Sequence, residues 1–149
     1  MVRHYKGKLK ETLIEWHAEF EINMKIKTYE DPPTWSNIFQ FTTGNNSNDI
    51  MGERNPMAWI QSGPKLAIFQ NMGSMDETYI DIEIDRTHDV VIRQTKHVDK
   101  YVYEVRVDDV IYKSKVNPQP ETFSDMNLYL TSPFVGLSFN GSLKTVRKV

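Results

Sequence analysis

Between Trp16 and Lys27 the chain alternates without a break: Trp16, Ala18, Phe20, Ile22, Met24 and Ile26 are apolar, and His17, Glu19, Glu21, Asn23, Lys25 and Lys27 are polar. Residues sharing a helix face recur three and four apart, so six cycles of period two exclude a helix here. The stretch predicts one long strand with a buried face and a wet face. The same period returns at Tyr79 to Asp85, where Ile80, Ile82 and Ile84 oppose Asp81, Glu83 and Asp85, and at Tyr101 to Val107. Shorter β-rich runs lie at Ile38 to Thr42, Met57 to Gln61, Leu66 to Gln70, Val90 to Thr95, Val110 to Lys113, Met126 to Thr131 and Val135 to Phe139. Turn signals separate them, among them Asp31-Pro-Pro, Ser62-Gly-Pro, Asn117-Pro-Gln-Pro and Asn140-Gly. About ten strands with turns every ten or so residues, and one candidate short helix at Lys10 to Glu15, predict an all-β antiparallel sandwich. Val107-Asp-Asp-Val110 is the best hairpin candidate.

A chain of 149 residues is one domain's worth, and without a linker, repeat or low-complexity tract the reading is a single β-sandwich domain over 1–149. Seventeen aromatics supply large groups to its core. No apolar run reaches the ~18 to 20 residues of a membrane helix, and the charged opening has no apolar signal-peptide core. Zero cysteine excludes a disulfide framework, a thiolate metal site and a Cys nucleophile. The formal net charge of −2 is a cancellation. The first ten residues hold Arg3, Lys6, Lys8 and Lys10, and the last ten hold Lys144, Arg147 and Lys148, with no acid in either end. The body carries all twenty acids against eleven bases, a net of −9. A near-neutral chain with its aromatics claimed by the sheet pattern argues against nucleic-acid binding.

From Asn37-Ile-Phe-Gln-Phe-Thr-Thr-Gly44 and Gly52-Glu-Arg-Asn-Pro-Met-Ala-Trp59 onward, through Asp89 to Gln94, Tyr101 to Tyr112 and Phe123 to Pro133, the layout resembles the concanavalin A-like lectin/glucanase superfamily, the jelly roll of laminin G, pentraxin and galectin domains. The resemblance implies an extracellular recognition or adhesion module for glycans or protein partners, with calcium as the one cofactor left open. It carries over no functional residue. The His-x-Asn-x-Arg and Trp-x-x-Glu-x-Arg strands of a galectin site are absent, and no calcium site is identifiable from spacing.

The residues themselves point to the loop Gly44 to Pro56. Asn45, Asn46 and Asp49 offer polar atoms to sugar hydroxyls, Arg54 presents a planar fork of donors beside Glu53, and Trp35 or Trp59 can stack on the apolar face of a pyranose. The same residue types also build tight loops, with Arg54 bracing Glu53 or Asp49. Asp81, Glu83 and Asp85 would place three carboxylates on one strand face, as a solvated surface, a metal site or a glycosidase pair. Laminarinase-like members of the superfamily use Glu-x-Asp-x-(x)-Glu, but here Tyr79 stands at the first position, so a non-enzymatic reading is preferred. His4, His17, His88 and His97 show no ligand spacing. Asn45-Asn-Ser and Asn140-Gly-Ser match the glycosylation pattern. A second reading is a matrix or self-assembly module, a homo-oligomer joined through edge strands or through basic ends brought together by the fold.

Overall fold

A computed structural model describes residues 8–46, 50–130, 137–138 and 140–148. Among these residues twelve strands are formed: β1 (Lys8–Trp16), β2 (Phe20–Thr28), β3 (Ser36–Thr42), β4 (Met57–Gln61), β5 (Lys65–Asn71), β6 (Met75–Asp81), β7 (His88–His97), β8 (Lys100–Val107), β9 (Val110–Asn117), β10 (Phe123–Leu130), β11 (Leu137–Ser138) and β12 (Gly141–Lys148). One sheet has the order β1-β10-β3-β4-β5-β6, with β11 added to β3, and the other has β12-β2-β7-β8-β9. All pairings are antiparallel except the short β11 to β3 contact. The two sheets form the predicted sandwich, and no helix occurs among the described residues.

Alternation builds the core. Phe20, Ile22, Met24 and Ile26 of β2 face Ile38, Phe39, Phe41, Ile60, Leu66 and Ile68 of the other sheet within one buried cluster. Each fully buried Ile, Leu or Phe contributes roughly 1.5 to 3 kcal/mol, so this shared row dominates the cohesion between sheets.

Three expectations change. The Trp16 to Lys27 pattern is two strands, not one: β1 ends at Trp16 and the chain crosses to the other sheet through residues 17–19. Gln94 donates to the Ala18 carbonyl at 2.7 Å and the Lys96 N–H donates to the Glu19 carboxylate at 3.0 Å, pinning the corner. The pattern looks continuous because Trp16 at the end of β1 and Phe20 at the start of β2 are both buried and both even-numbered. The segment Lys10 to Glu15 is strand rather than helix. Pairing with β10 overrides local propensity, at the expense of three register shifts. The acidic strand stops at Asp81, where the Ile82 N–H donates to the Pro64 carbonyl and Asp85 adopts φ 60°.

The Val107 to Val110 hairpin forms, with Asp108 and Asp109 both at positive φ as its two-residue turn requires. β1 and β12 do not pair. They are end strands of different sheets, both opposite the β6 and β9 side. Arg3 and Lys6 of the basic N-terminus lie outside the described residues.

Candidate functional site

Residues that alternate outward from β3, β4, β5 and β6 form a second face on the larger sheet. Register aligns Asn37, Trp59, Ala67 and Tyr79 in one row and Gln40, Met57, Phe69 and Glu77 in the next. Met57, Trp59, Ala67 and Phe69 are buried there in a cluster separate from the sandwich core. Trp35, just before β3, covers them. Its ring stands edge-on to Trp59 with centroids 5.5 Å apart and lies 5.9 Å from Phe69. Phe69 in turn lies 6.5 Å from Trp59 and 6.3 Å from Tyr79. Small Ala67 between Trp59 and Tyr79 leaves the room into which the diagonal Phe69 ring fits. Trp35 and Tyr79 remain exposed at 36% and 45%, while Trp59 is 5% exposed. Of the two tryptophans, Trp35 therefore offers the open ring and Trp59 its support.

The loop after β3 folds back onto this face. The side-chain amide of Gln40, itself fully buried, donates to the carbonyls of Glu53 and Asn45 and to Asn46 Oδ1. Arg54 Nε donates to the same Asn46 oxygen at 2.9 Å, and its guanidinium carbon lies 5.7 Å from the Phe69 ring centre. The brace among the described residues thus runs to Asn46. Glu53 is buried, Asn45 is exposed, and Asp49 lies outside the described residues. Burial pushes the Arg54 guanidinium below its usual range, and the Glu77 charge partly offsets this. Tyr79 donates to Glu77 Oε1 at 2.9 Å. Burial, that hydrogen bond and the Glu77 charge raise its phenol to about 12. The face is therefore an aromatic strip with a desolvated cation and a carboxylate along its margin.

The sequence reading found Trp35, Asn46, Arg54 and Trp59, which the structure brings together, but missed Phe69, Glu77 and Tyr79. The available signal was the outward parity of three consecutive strands, which selects Trp59, Phe69 and Tyr79.

The three-carboxylate strand face is not formed. Asp81 ends β6, 4.0 Å from Lys65; Glu83 pairs with Arg86 at 3.3 Å; and Asp85 sits in the turn that crosses between sheets. Among the described residues, no group of three or more His, Asp or Glu side chains is placed to hold a metal ion. The amide of Asn140 donates to Glu30 at 2.9 Å, and Ser47 of the other glycosylation triplet lies outside the described residues.

No protein-family model and no curated protein sequence matches the chain. Solved structures do match. Domain 4 of an extracellular arabinanase from Geobacillus stearothermophilus, in complex with arabinotriose, aligns at a TM-score of 0.63 and 13% identity, covering 97% of this chain and 68% of that one. Sheep galectin-11 aligns at 0.58 and 14% identity over 99% of this chain and 100% of its own. A heptameric pentraxin from Limulus polyphemus aligns at 0.59 and 13% identity over 97% and 73%. The chain shares the jelly-roll fold of these structures.

Proposed function

We propose that the chain is a non-enzymatic glycan-recognition module of an extracellular setting, acting through the outer face of the larger sheet. The carrying observation is the exposed Trp35 ring, held edge-on by Trp59 and flanked by Phe69. An aromatic ring fixed in this way stacks on the apolar face of a sugar ring without losing much side-chain freedom, and Arg54, Asn45 and Glu77 offer donors and acceptors to its hydroxyls. The fold neighbours support the reading, since one is solved with arabinotriose and another is a galectin. A glycan array followed by titration calorimetry, with and without calcium, tests it. Saturable saccharide binding is expected, weakened roughly tenfold or more in Trp35→Ala, equivalent to about 1.4 kcal/mol or more, while the melting temperature holds. Absence of saccharide binding in both calcium conditions overturns it.

A second reading, association of copies, is favoured by β9. This end strand exposes Val110, Ile111, Tyr112 and Val116 beside an unpaired backbone edge. Sedimentation that shifts with concentration, and is abolished by Ile111→Lys, supports this reading; a concentration-independent monomer removes it.

A further inference from the structure

On the smaller sheet, away from Trp35, a cavity of about 320 Å³ opens at the β2 and β12 side, lined by Ile26 together with Lys25, Lys27, Lys144, Tyr29, Thr87 and Ser142. Inward burial of Met24 and Ile26 turns Lys25 and Lys27 outward. Antiparallel pairing then sets Lys144 directly opposite Lys25 and Ser142 opposite Lys27. Three ammonium groups thus occupy two adjacent cross-strand rows.

Like charges directly opposite one another destabilise a sheet, so a counter-charge stabilises such a block. The sandwich supplies one. Asp89, opposite Lys25 on the other side of β2, forms an ion pair with it. Among the described residues, no carboxylate lies within ion-pair distance of Lys27 or Lys144, and no acid lines the cavity. Among the described residues, two cations therefore have no protein counter-charge around a hollow whose wall also carries three hydroxyls, those of Tyr29, Thr87 and Ser142.

We propose that this cavity is an oxyanion site that takes a sulfate or phosphate ester group of a polyanionic chain. A tetrahedral ester presents three outward oxygens. They match the ammonium donors of Lys27 and Lys144 and the ring of hydroxyls, and the ester charge replaces the missing counter-charge. The volume lies at the lower end of small-molecule sites, which suits one charged group with its attached sugar or phosphate neighbour. The site is independent of the aromatic face, which belongs to the other sheet.

Titration calorimetry with a heparin hexasaccharide in one arm and a short linear polyphosphate in the other tests the assignment and identifies the source of the ester. Binding is expected in at least one arm, with a slope of log affinity on log salt of roughly −2, for the two displaced counter-ions. Lys27→Gln/Lys144→Gln should weaken it about tenfold or more. Lys96→Gln/Lys100→Gln, which removes two exposed cations at the far hairpin, should change it far less. Amide chemical shifts in the unsubstituted protein should move at residues 25–29, 87 and 142–144, so the assignment stays testable if the double variant fails to fold. No binding in either arm at about 0.05 M salt, equal weakening by the far double variant, or shifts clustered elsewhere would each overturn it.

Discussion

The ring Nδ1 of His88 lies 2.7 Å from Oδ2 of Asp108. The opposite ring nitrogen, Nε2, accepts the Glu83 N–H at 3.2 Å, so Nδ1 carries the hydrogen that is donated to the carboxylate. Asp108 also accepts the Asp89 N–H at 2.9 Å. One aspartate in the β8–β9 turn thereby ties that turn to the start of β7 and to the crossing at 82–87.

Burial raises the Asp108 carboxyl, but the Asp89 N–H, the His88 hydrogen bond and the Arg86 charge outweigh it and hold it below the ordinary value. A carboxylate whose folded pKa is depressed gives stability that is complete above its unfolded pKa, near pH 4, and is lost as pH falls through the lower folded value. Asp108→Asn should therefore lose about 1 to 2 kcal/mol near neutral pH and much less of it near pH 3. Urea unfolding at the two pH values measures this; an identical loss at both would refute it.

Val98 has φ 59° in the two-residue loop between β7 and β8, and its side chain is 95% exposed. A β-branched residue in the left-handed region is strained by roughly 1 to 2 kcal/mol. Val98→Gly relieves that strain while restoring some unfolded-chain entropy, so a net gain of about 0.5 to 1 kcal/mol is expected in thermal unfolding. A lower melting temperature would contradict it.

Gly52 has φ +88°, and a Cβ there would fall 2.9 Å from both the Phe123 ring and the Thr43 methyl. Gly52→Ala should cost about 1 to 3 kcal/mol. Because the Gly52 carbonyl accepts the Thr43 N–H, the same change should also disturb Arg54 and the loop over the aromatic face. Saccharide affinity and stability should fall together in this variant, in contrast to Trp35→Ala, where only affinity falls.

Asp76, buried on β6, receives Lys113 at 3.2 Å and Lys115 at 3.4 Å from β9, joining the two sheets at their lateral edge. Both lysines keep access to water, so the full penalty of breaking a buried pair is not expected. Asp76→Asn should lose about 2 kcal/mol, with hydrogen exchange quickening first in β9. A loss confined to the centre of β7 would argue against this clamp.

Replacing Glu77 by Gln removes both the charge and the strongest acceptor facing the Tyr79 phenol. Spectrophotometric titration should show Tyr79 near 12 in the unsubstituted protein and lower in Glu77→Gln, while remaining above its ordinary value because burial persists. No change in the titration would separate Glu77 from Tyr79.

Strict alternation made the sandwich legible, since Phe20 to Ile26 and Tyr103 to Val107 must show one face to a core wherever they pair. Alternation carries no signal for which sheet a strand joins. Trp16 and Phe20 have the same parity and so hid a corner, while Lys10 to Glu15 reveals its pairing only through β10, more than a hundred residues away. The aromatic face was half legible for a related reason. Asn46 and Arg54 are neighbours in a polar loop, whereas Phe69 and Tyr79 join Trp35 only through cross-strand register. Ile82 and Ile84 kept the acidic alternation running past the point where the Asp85 turn ends the strand.

The corner at 17–19 also bears on how the sandwich closes. Half of the strand pairings among the described residues join distant parts of the chain, and pairings of that kind form slowly, because a long loop must be ordered before its contacts reward it. The Trp16 and Phe20 rings meet at 4.8 Å across only a three-residue crossing, and Phe41 then adds to Trp16 at 4.9 Å. Loop-closure entropy makes that first meeting inexpensive, so the corner is a place where the two layers acquire a shared edge early, with the long-range partners β10 and β12 docking onto an angle already set.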